Sequence, residues 1–282
     1  MENVIITNQG EFEDRKAQMK KNGVLALHIL ADFDNTFTKI TFNGQRIRSL
    51  MGVLRESNIM PESYNQKAKE LFAYYRPMEA DDSISKEEKK KIMGEWWSKA
   101  FNLMIEHGFS KSHLQKIVET GLIQFREGVK EFLEILNENN IPLVIMSASG
   151  VGEAIKLIFE RNNFFFDNIN IIANSFEWDE QGLAIKPKEP IIHSLNKDET
   201  LIKNFSEIFA KIKDRKNVIL LGDKLGDVAM VDGFEHDNLL KIGFFNEASI
   251  ENLESFKKDF DVVILKDGSM DFVNNFLKEV VN

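Results

Sequence analysis

Three runs of mainly aliphatic residues have the length and composition of strands buried on both faces. They occupy residues 24–30, 141–146 and 218–221. Such runs are typical of the interior strands of a parallel sheet, because helices cover both faces of that kind of sheet. Each run gives way to polar residues within two positions. We therefore expect polar side chains at the carboxyl ends of three strands, where open α/β sheets bind ligands.

Helical spacing of apolar residues fills much of the region between the first and second runs. The pattern predicts three helices, over residues 62–75, 86–107 and 110–120. Gly108 and Gly121 are placed to end the second and third helices as C′ residues, and Ser110 to cap the start of the third.

From residue 126 onwards, helical and strand patterns alternate. Further strands are predicted at residues 170–173, 239–244 and 262–265, with a closing helix at residues 270–280. Strands that alternate with helices predict an α/β fold with a parallel sheet and helices on both faces. We expect a core made of residues 1–41 and 124–282, interrupted by an all-helical cap domain at residues 42–123.

The composition is that of an ordinary globular protein and narrows the range of functions. Of 282 residues, 43% are apolar and 29% are charged, the formal net charge is −9, and there is no cysteine. The negative charge disfavours non-specific nucleic-acid binding, and no apolar stretch approaches the length of a membrane span. The amino terminus lacks a secretory pattern. We expect a cytoplasmic protein without nucleic-acid or membrane partners, whose oligomeric state the sequence leaves open.

Carboxylates are concentrated where the first and third runs end. Asp32 and Asp34 follow the first run, and Asp223 and Asp227 follow the third. Carboxylates that share a small site repel each other, and a divalent cation usually offsets this repulsion. On spacing alone, a solvated acidic turn explains Asp32 and Asp34 as well as a metal site does.

A glycine pair after the second run offers a competing interpretation. Gly150 and Gly152 could begin a dinucleotide-binding fingerprint, but the third glycine would fall at Ile155. We therefore do not expect a dinucleotide cofactor.

Four segments, taken in order, resemble the motifs of the haloacid-dehalogenase-like (HAD) superfamily of aspartate-nucleophile hydrolases. They are Asp32-Phe33-Asp34-Asn35-Thr36, the strand-end Ser147, Lys197, and the acidic pair Asp223 and Asp227. The resemblance implies a Rossmannoid core and a helical cap at the superfamily's first insertion point (a C1 cap). A cap in that position can exclude water and select substrates.

The resemblance also implies a catalytic role for each carboxylate. Asp32 would be the nucleophile that forms an aspartyl-phosphate, and Asp34 would act first as general acid and then as general base. Mg²⁺ would be held by a carboxylate oxygen of Asp32, the backbone carbonyl of Asp34, and Asp223. Asp227 would be an outer ligand or the N-cap of the following helix.

By the same resemblance, four residues would bind the phosphate group: Thr36, Ser147, Ala148 and Lys197. Ser147 and the backbone amide of Ala148 would donate hydrogen bonds to its oxygens, and Lys197 would offset negative charge. Thr36 would alternatively hydrogen-bond Asp34. Superfamily members that act on carbon–halogen bonds usually lack a residue like Asp34, so its presence favours phosphate chemistry.

Further segments are similar to the pyrimidine 5′-nucleotidase family of the cytosolic 5′-nucleotidase III type. They are Leu220-Leu221-Gly222-Asp223, Gly226-Asp227, Met230, Asp232-Gly233, Leu240-Lys241-Ile242-Gly243-Phe244, Asn246 and Glu95-Trp96-Trp97. The similarity extends over roughly residues 25–280. It implies Mg²⁺-dependent release of phosphate from nucleoside 5′-monophosphates.

Three cap residues correspond to base-binding positions of that family: Glu79, Trp97 and Phe101. A member type with tryptophan at the aromatic position accepts 7-methylguanosine monophosphate, and an indole face suits a cationic base. The alternatives are an exposed helix end for Glu79 and core packing for the two aromatic residues.

The sequence also departs from that family at four positions. Ala100 stands where some pyrimidine-preferring members have serine, which leaves the base preference open. Asn35 replaces an apolar residue that is usual within the first motif. Ser149 and Val151 replace the more usual glycine and isoleucine after Ser147.

We expect a Mg²⁺-dependent 5′-nucleotidase that hydrolyses small-molecule nucleoside 5′-monophosphates of the pyrimidine or 7-methylguanosine type. One alternative is a phosphatase for another small phosphomonoester. A second alternative is a binding protein that keeps this fold but does not catalyse a reaction.

Overall fold

The computed structural model describes residues 3–42, 44–46, 49–81, 83–233, 235–246 and 250–282. The strands are β1 Val4–Ile6, β2 Leu27–Ala31, β3 Thr41–Phe42, β4 Gln45–Arg46, β5 Leu143–Ser147, β6 Ile169–Ala173, β7 Phe176–Trp178, β8 Ala184–Pro187, β9 Asn217–Gly222, β10 Asn238–Phe245 and β11 Val262–Leu265. The α-helices are α1 Gln9–Asn22, α2 Leu50–Glu56, α3 Glu62–Ala80, α4 Lys86–Glu106, α5 Lys111–Glu119, α6 Val129–Glu138, α7 Glu153–Arg161, α8 Glu199–Lys203, α9 Ser206–Ile212, α10 Ile250–Asp259 and α11 Asp271–Val281. Two 3₁₀-helices occupy Val24–Ala26 and Leu225–Val231.

Within the described residues, a seven-stranded sheet has the order β1-β11-β10-β9-β2-β5-β6. Neighbouring strands are parallel except for β1, which pairs antiparallel with β11. Strand β2 therefore lies between β9 and β5. The predicted parallel sheet is confirmed, and the three strands that precede the polar motifs are neighbours at its centre.

Both faces of the sheet are covered, as the uniformly apolar strands predict. Alternate residues of β2 enter different clusters: Ile29 packs with residues of α6 and α11, whereas Leu30 packs with residues of α8 and α9. Every residue of β2, β5 and β9 is buried. Burial on both faces fixes the direction and register of these strands, and with them the position of the residues that follow.

The cap lies between β2 and α6 and contains helices α2 to α5 and the short hairpin β3–β4. Helix α3 packs along α4. A second hairpin, β7–β8, follows β6 and reaches the cap, since β8 packs against α4. No helix within these described ranges is long and apolar enough to cross a membrane.

The predicted elements are largely confirmed, and the differences have local causes. The first strand begins at Leu27 rather than at residue 24, because Val24–Ala26 forms a 3₁₀ turn. Helix α3 continues past Pro77 to Ala80, although a proline usually ends a helix. Gly108 and Gly121 have φ of 71° and 64°, which suits helix ends.

Several elements were not predicted from the sequence. Helices α1 and α2 and the hairpins β3–β4 and β7–β8 are short or weakly patterned. Ser110 is the N-cap of α5, as predicted.

Candidate active site

The three central strands deliver the predicted polar residues to one edge of the sheet. Asp32 directly follows β2, Ser147 ends β5, and Asp223 directly follows β9. The backbone N–H of Asp32 donates to the carbonyl of Leu221 at 3.0 Å, which extends the β2–β9 ladder into the site. The strand-end grouping expected from the sequence is therefore present.

Three carboxylates form a tight cluster at this edge. Asp32, Asp223 and Asp227 each have a carboxylate oxygen within 4.8 Å of the other two. Burial raises the pKa of Asp32 against the opposing charge of Lys197, and the charge of Asp227 raises it further. Burial also raises the pKa of Asp223 to about 7, with Lys224 opposing the rise. A positive charge among these oxygens would relieve their repulsion.

Lys197 supplies one such charge. Its Nζ lies 2.6 Å from Oδ1 of Asp32 and 2.8 Å from Oδ1 of Asp227. Burial alone would lower the pKa of Lys197, but the charges of Asp227 and Asp32 prevail and raise it. The lysine therefore stays protonated beside the predicted nucleophile.

The Lys197 side chain emerges from a loop that is held by hydrogen bonds to Asn196. The Asn196 side chain accepts from the backbone N–H of His193 at 2.7 Å and donates to the carbonyl of Ile191 at 2.9 Å. These bonds fix the approach of Lys197 although the loop contains no regular element.

Asp227 stabilises the loop that follows β9. Its Oδ2 accepts from the backbone N–H groups of Asp223 and Lys224, both at 3.0 Å. Gly222 makes this possible, because a Cβ at that position would lie 2.6 Å from the Cβ of Asp227. Burial acts to raise the pKa of Asp227, but Lys197, Lys224 and these hydrogen bonds together lower it.

Asp34 and Thr36 lie in the turn after Asp32. Oδ1 of Asp34 accepts from the backbone N–H of Leu50, the first residue of α2, at 3.0 Å. Burial and then the charge of Asp32 raise the pKa of Asp34 to about 6. Thr36 is fully buried, and its hydroxyl has no hydrogen-bond partner among the described residues.

Ser147 ends β5 and Ala148 begins the loop that follows, which is held in place by hydrogen bonds. Oγ of Ser147 accepts from the backbone N–H of Ser149 at 3.1 Å. The Asn174 side chain donates to the carbonyls of Ala148 and Ser149 at 3.3 and 3.2 Å, and to the carbonyl of Ile192 at 2.8 Å. Asn174, which sequence reasoning missed, thus connects this loop to the segment that leads to Lys197.

The cap brings Glu79 against the same segment. Oε1 of Glu79 accepts from Oγ of Ser194 at 2.6 Å, and Oε2 forms an ion pair with Arg76. Burial acts to raise the pKa of Glu79, but the Ser194 hydrogen bond and the charge of Arg76 prevail and lower it. The Glu79 side chain is 19% exposed, so it is not the solvated helix end of the alternative interpretation.

Trp97 and Phe101 lie over Gly150 in the loop after β5. A Cβ on Gly150 would lie 2.7 Å from the Trp97 ring and 3.1 Å from the Phe101 ring. The centroids of these two stacked rings lie 5.5 Å apart, and Trp96 also stacks with Trp97, at a centroid distance of 6.2 Å. Phe101 is fully buried, whereas Trp97 is only partly buried, which leaves Trp97 the more available of the two to a ligand.

Arg126 is a second residue that sequence reasoning missed. It is 2% exposed and donates to the backbone carbonyls of Thr36 and Asn35 in the Asp32 loop. It also pairs with Asp267 at 3.0 Å. The available signal was an arginine at the point where the chain returns from the cap to the core.

The chain also matches a model of a known protein family. The model described as "Pyrimidine 5′-nucleotidase (UMPH-1)" matches residues 35–281. The chain belongs to this pyrimidine 5′-nucleotidase family. Membership makes it a phosphomonoester hydrolase of the 5′-nucleotidase kind, and the non-catalytic alternative is set aside.

Individual relatives agree with this membership. The chain is 34% identical over 279 residues to the "7-methylguanosine phosphate-specific 5′-nucleotidase" of Mus musculus, covering 99% of this chain and 92% of the relative. A crystal structure of cytosolic 5′-nucleotidase IIIB bound to cytidine superposes with a TM-score of 0.91 at 27% identity, covering 99% of this chain and 94% of that one.

A more distant structure shows the fold alone. A HAD family hydrolase from Salmonella enterica serovar Typhi has a TM-score of 0.57 at 13% identity, covering 89% of this chain and 70% of that one. The 5′-nucleotidase family member described here therefore has the predicted HAD-like core with a helical cap.

The carboxylate cluster of this nucleotidase fits a hard divalent cation. Oδ1 of Asp223 is buried and has no hydrogen-bond partner among the described residues. Oxygen donors are the ligands that Mg²⁺ prefers. An acidic group able to bind a metal is thus present at the strand ends.

Proposed function

We propose that the protein is a cytoplasmic, Mg²⁺-dependent 5′-nucleotidase that hydrolyses nucleoside 5′-monophosphates carrying a pyrimidine or 7-methylguanine base. The observation that carries the proposal is Asp32, buried at a strand end, paired with Lys197 and adjacent to two further carboxylates. We assign residues 1–41 and 124–282 to the catalytic core and residues 42–123 to the cap. The names of the mouse relative and of the cytidine-bound cytosolic structure support the two base classes and the location.

In the proposed reaction, a carboxylate oxygen of Asp32 attacks phosphorus and the bond to the nucleoside 5′-oxygen breaks. Asp34 gives a proton to that oxygen, so that the nucleoside leaves as an alcohol. Asp34 then takes a proton from water, which attacks phosphorus and releases inorganic phosphate and free Asp32. Burial and the charge of Asp32 raise the pKa of Asp34 to about 6, which supports its role as proton donor and acceptor.

Mg²⁺ would be held by Asp32, the backbone carbonyl of Asp34 and Asp223, where it would offset the charge of the phosphate group. Asp227 holds Lys197 and the backbone of Asp223, which supports an outer role rather than direct ligation.

We assign phosphate binding to Lys197, Ser147, the backbone amide of Ala148, and Thr36. Lys197 remains charged because two carboxylates face it, and it stabilises negative charge that develops on the phosphate oxygens. Ser147 retains its hydroxyl proton for donation, because in the hydrogen bond with Ser149 it is the acceptor.

We assign base recognition to Glu79, Trp97 and Phe101. A carboxylate oxygen of Glu79 can accept a hydrogen bond from a ring or exocyclic N–H group of a base. The partly buried Trp97 offers a ring face that suits a cationic 7-methylguanine. The fully buried Phe101 supports Trp97 through ring stacking.

The test is phosphate release from UMP, CMP, 7-methyl-GMP and AMP, with phosphoserine and ribose 5-phosphate as non-nucleotide substrates, in Mg²⁺ and in EDTA. We expect turnover only with metal, concentrated on one class of base. Asp32→Asn should lose at least about 1,000-fold in kcat, because the nucleophile is lost. Equal turnover of ribose 5-phosphate and the nucleotides would instead identify a phosphatase for general small phosphomonoesters.

A further inference from the structure

Asn35 makes a contact in the site that the proposed mechanism does not use. Its side-chain amide donates to Oδ2 of Asp223 at 3.1 Å. The other oxygen of Asp223, Oδ1, is buried without a hydrogen-bond partner among the described residues. The two oxygens of the Asp223 carboxylate therefore differ in their partners. Oδ2 accepts the hydrogen bond from Asn35, and Oδ1 remains available to a ligand.

The backbone of Asn35 has a conformation that few residues adopt. Its φ is 63°, in the left-handed region, where asparagine is tolerated better than most side chains other than glycine. The Asn35 N–H donates to Oγ1 of Thr38 at 2.7 Å, and its carbonyl accepts from the Asn246 side chain at 3.1 Å. These bonds fix the direction in which the Asn35 amide leaves the backbone.

Arg126 holds the backbone around Asn35 through several hydrogen bonds. Besides its bonds to the carbonyls of Asn35 and Thr36, its guanidinium donates to Oδ1 of Asn246 at 3.0 Å and to the carbonyl of Gly268 at 2.9 Å. Because Arg126 is buried and held at several points, it keeps the Asn35 carbonyl in place. Asn35 therefore connects Arg126, which binds its carbonyl, to Asp223, which accepts from its side-chain amide.

We propose that Asn35 is a positioning residue for Asp223, whose carboxylate it orients for a divalent cation. A hydrogen bond donated to one oxygen of a carboxylate restricts the rotation of that carboxylate. The inference rests on the proposed function only in naming Mg²⁺ as the cation.

The test measures Mg²⁺ binding directly by titration calorimetry, independently of turnover, in the full chain. Asn35→Gly removes the amide and suits the left-handed backbone, whereas Asn35→Leu removes the amide and keeps a side chain. We expect both variants to bind Mg²⁺ about 10- to 100-fold more weakly, as is typical when an outer hydrogen bond to a ligand is removed.

Asn163 provides a matched control, because it is an exposed asparagine with φ of 56° at the end of α7. Asn163→Gly and Asn163→Leu change the backbone preference in the same way but lie outside the site. Their Mg²⁺ affinity should equal that of the wild type. Thermal unfolding of all four variants reports whether each one is folded.

The outcomes separate this inference from the proposed function. If Asn35→Gly binds Mg²⁺ as tightly as the wild type, Asn35 serves the backbone alone and the inference fails. A wild-type protein that binds no Mg²⁺ also overturns it. If the wild type binds Mg²⁺ and both Asn35 variants lose affinity, the inference stands even where no nucleotide is hydrolysed, and only the proposed function fails.

Discussion

Two buried carboxylates share one buried lysine at the centre of this protein. The side chains of Lys197, Asp32 and Asp227 are 5%, 8% and 4% exposed. Removing one partner of a buried ion pair typically costs about 3–5 kcal/mol, because the remaining charge is left without water. Truncation of Lys197 should therefore destabilise the fold as well as change the electrostatics of the site.

A buried histidine in β2 allows a prediction about pH. His28 is 1% exposed, its Nδ1 lies 2.9 Å from the carbonyl of Arg215, and burial lowers its pKa to about 4, aided by the charges of Arg215 and His236. The unfolded chain, with a histidine pKa near 6.5, binds more protons between these values. Acidification from pH 7 to pH 5 should therefore cost about 2 kcal/mol of folding free energy through this residue.

The measurement is urea unfolding of the wild type and of His28→Gln at both pH values. The variant should lose less stability than the wild type on acidification, by about that amount. Equal losses in the two proteins would show that His28 is not responsible.

Gly150, in the loop after β5, is the point where this loop contacts the cap helix α4. A Cβ there would come within 2.7 Å of Trp97, 3.0 Å of Met51 and 3.1 Å of Phe101. Gly150→Ala should displace these cap side chains and lower kcat/KM for nucleotides about tenfold, because small misplacements in a site have large kinetic effects.

Gly226→Ala is the matched control for that substitution. Gly226 lies in the 3₁₀-helix Leu225–Val231 that follows β9, and the nearest atom to an added Cβ is the Ser194 carbonyl oxygen at 3.7 Å, an ordinary contact. A larger loss in Gly226→Ala than in Gly150→Ala would contradict the steric explanation. Steady-state kinetics on the preferred nucleotide distinguishes the two results.

The hydrogen bond between Glu79 and Ser194 joins the cap to the core. The bond between them connects α3 to the loop that carries Lys197. A hydrogen bond to a charged group contributes about 1.5–3 kcal/mol. Because Arg76 still pairs with Glu79, Ser194→Ala should loosen the Glu79 carboxylate and lower kcat/KM for the preferred nucleotide about tenfold, close to the lower end of this energy range.

Ribose 5-phosphate is the internal control for this prediction, because it lacks a base for Glu79 to contact. Its slower turnover should be the same in Ser194→Ala as in the wild type. An equal loss on both substrates would mean that Ser194 acts on the phosphate site through Lys197 rather than on base selection.

Local pattern was sufficient for much of the architecture and for the residues at the strand ends. Strands buried on both faces must be apolar throughout, so β2, β5 and β9 were recognisable from the sequence, and their order placed Asp32, Ser147 and Asp223 at one edge. The motif resemblance added Lys197, which the structure brings within 2.6 Å of Asp32. The roles of these residues stay predictions until the kinetics are measured.

Contacts between distant parts of the chain could be found only in the tertiary structure. Arg126 is 90 residues from Thr36 and 141 from Asp267, and no local pattern distinguishes it from a solvated arginine. The bonds from Asn35 to Asp223 and from Ser194 to Glu79 are of the same kind. The sequence alone showed which segments are buried and which polar residues lie at their ends, because burial follows from local composition. A hydrogen bond depends on distance and direction in space. Only the tertiary structure therefore showed the hydrogen-bond partners of each polar side chain.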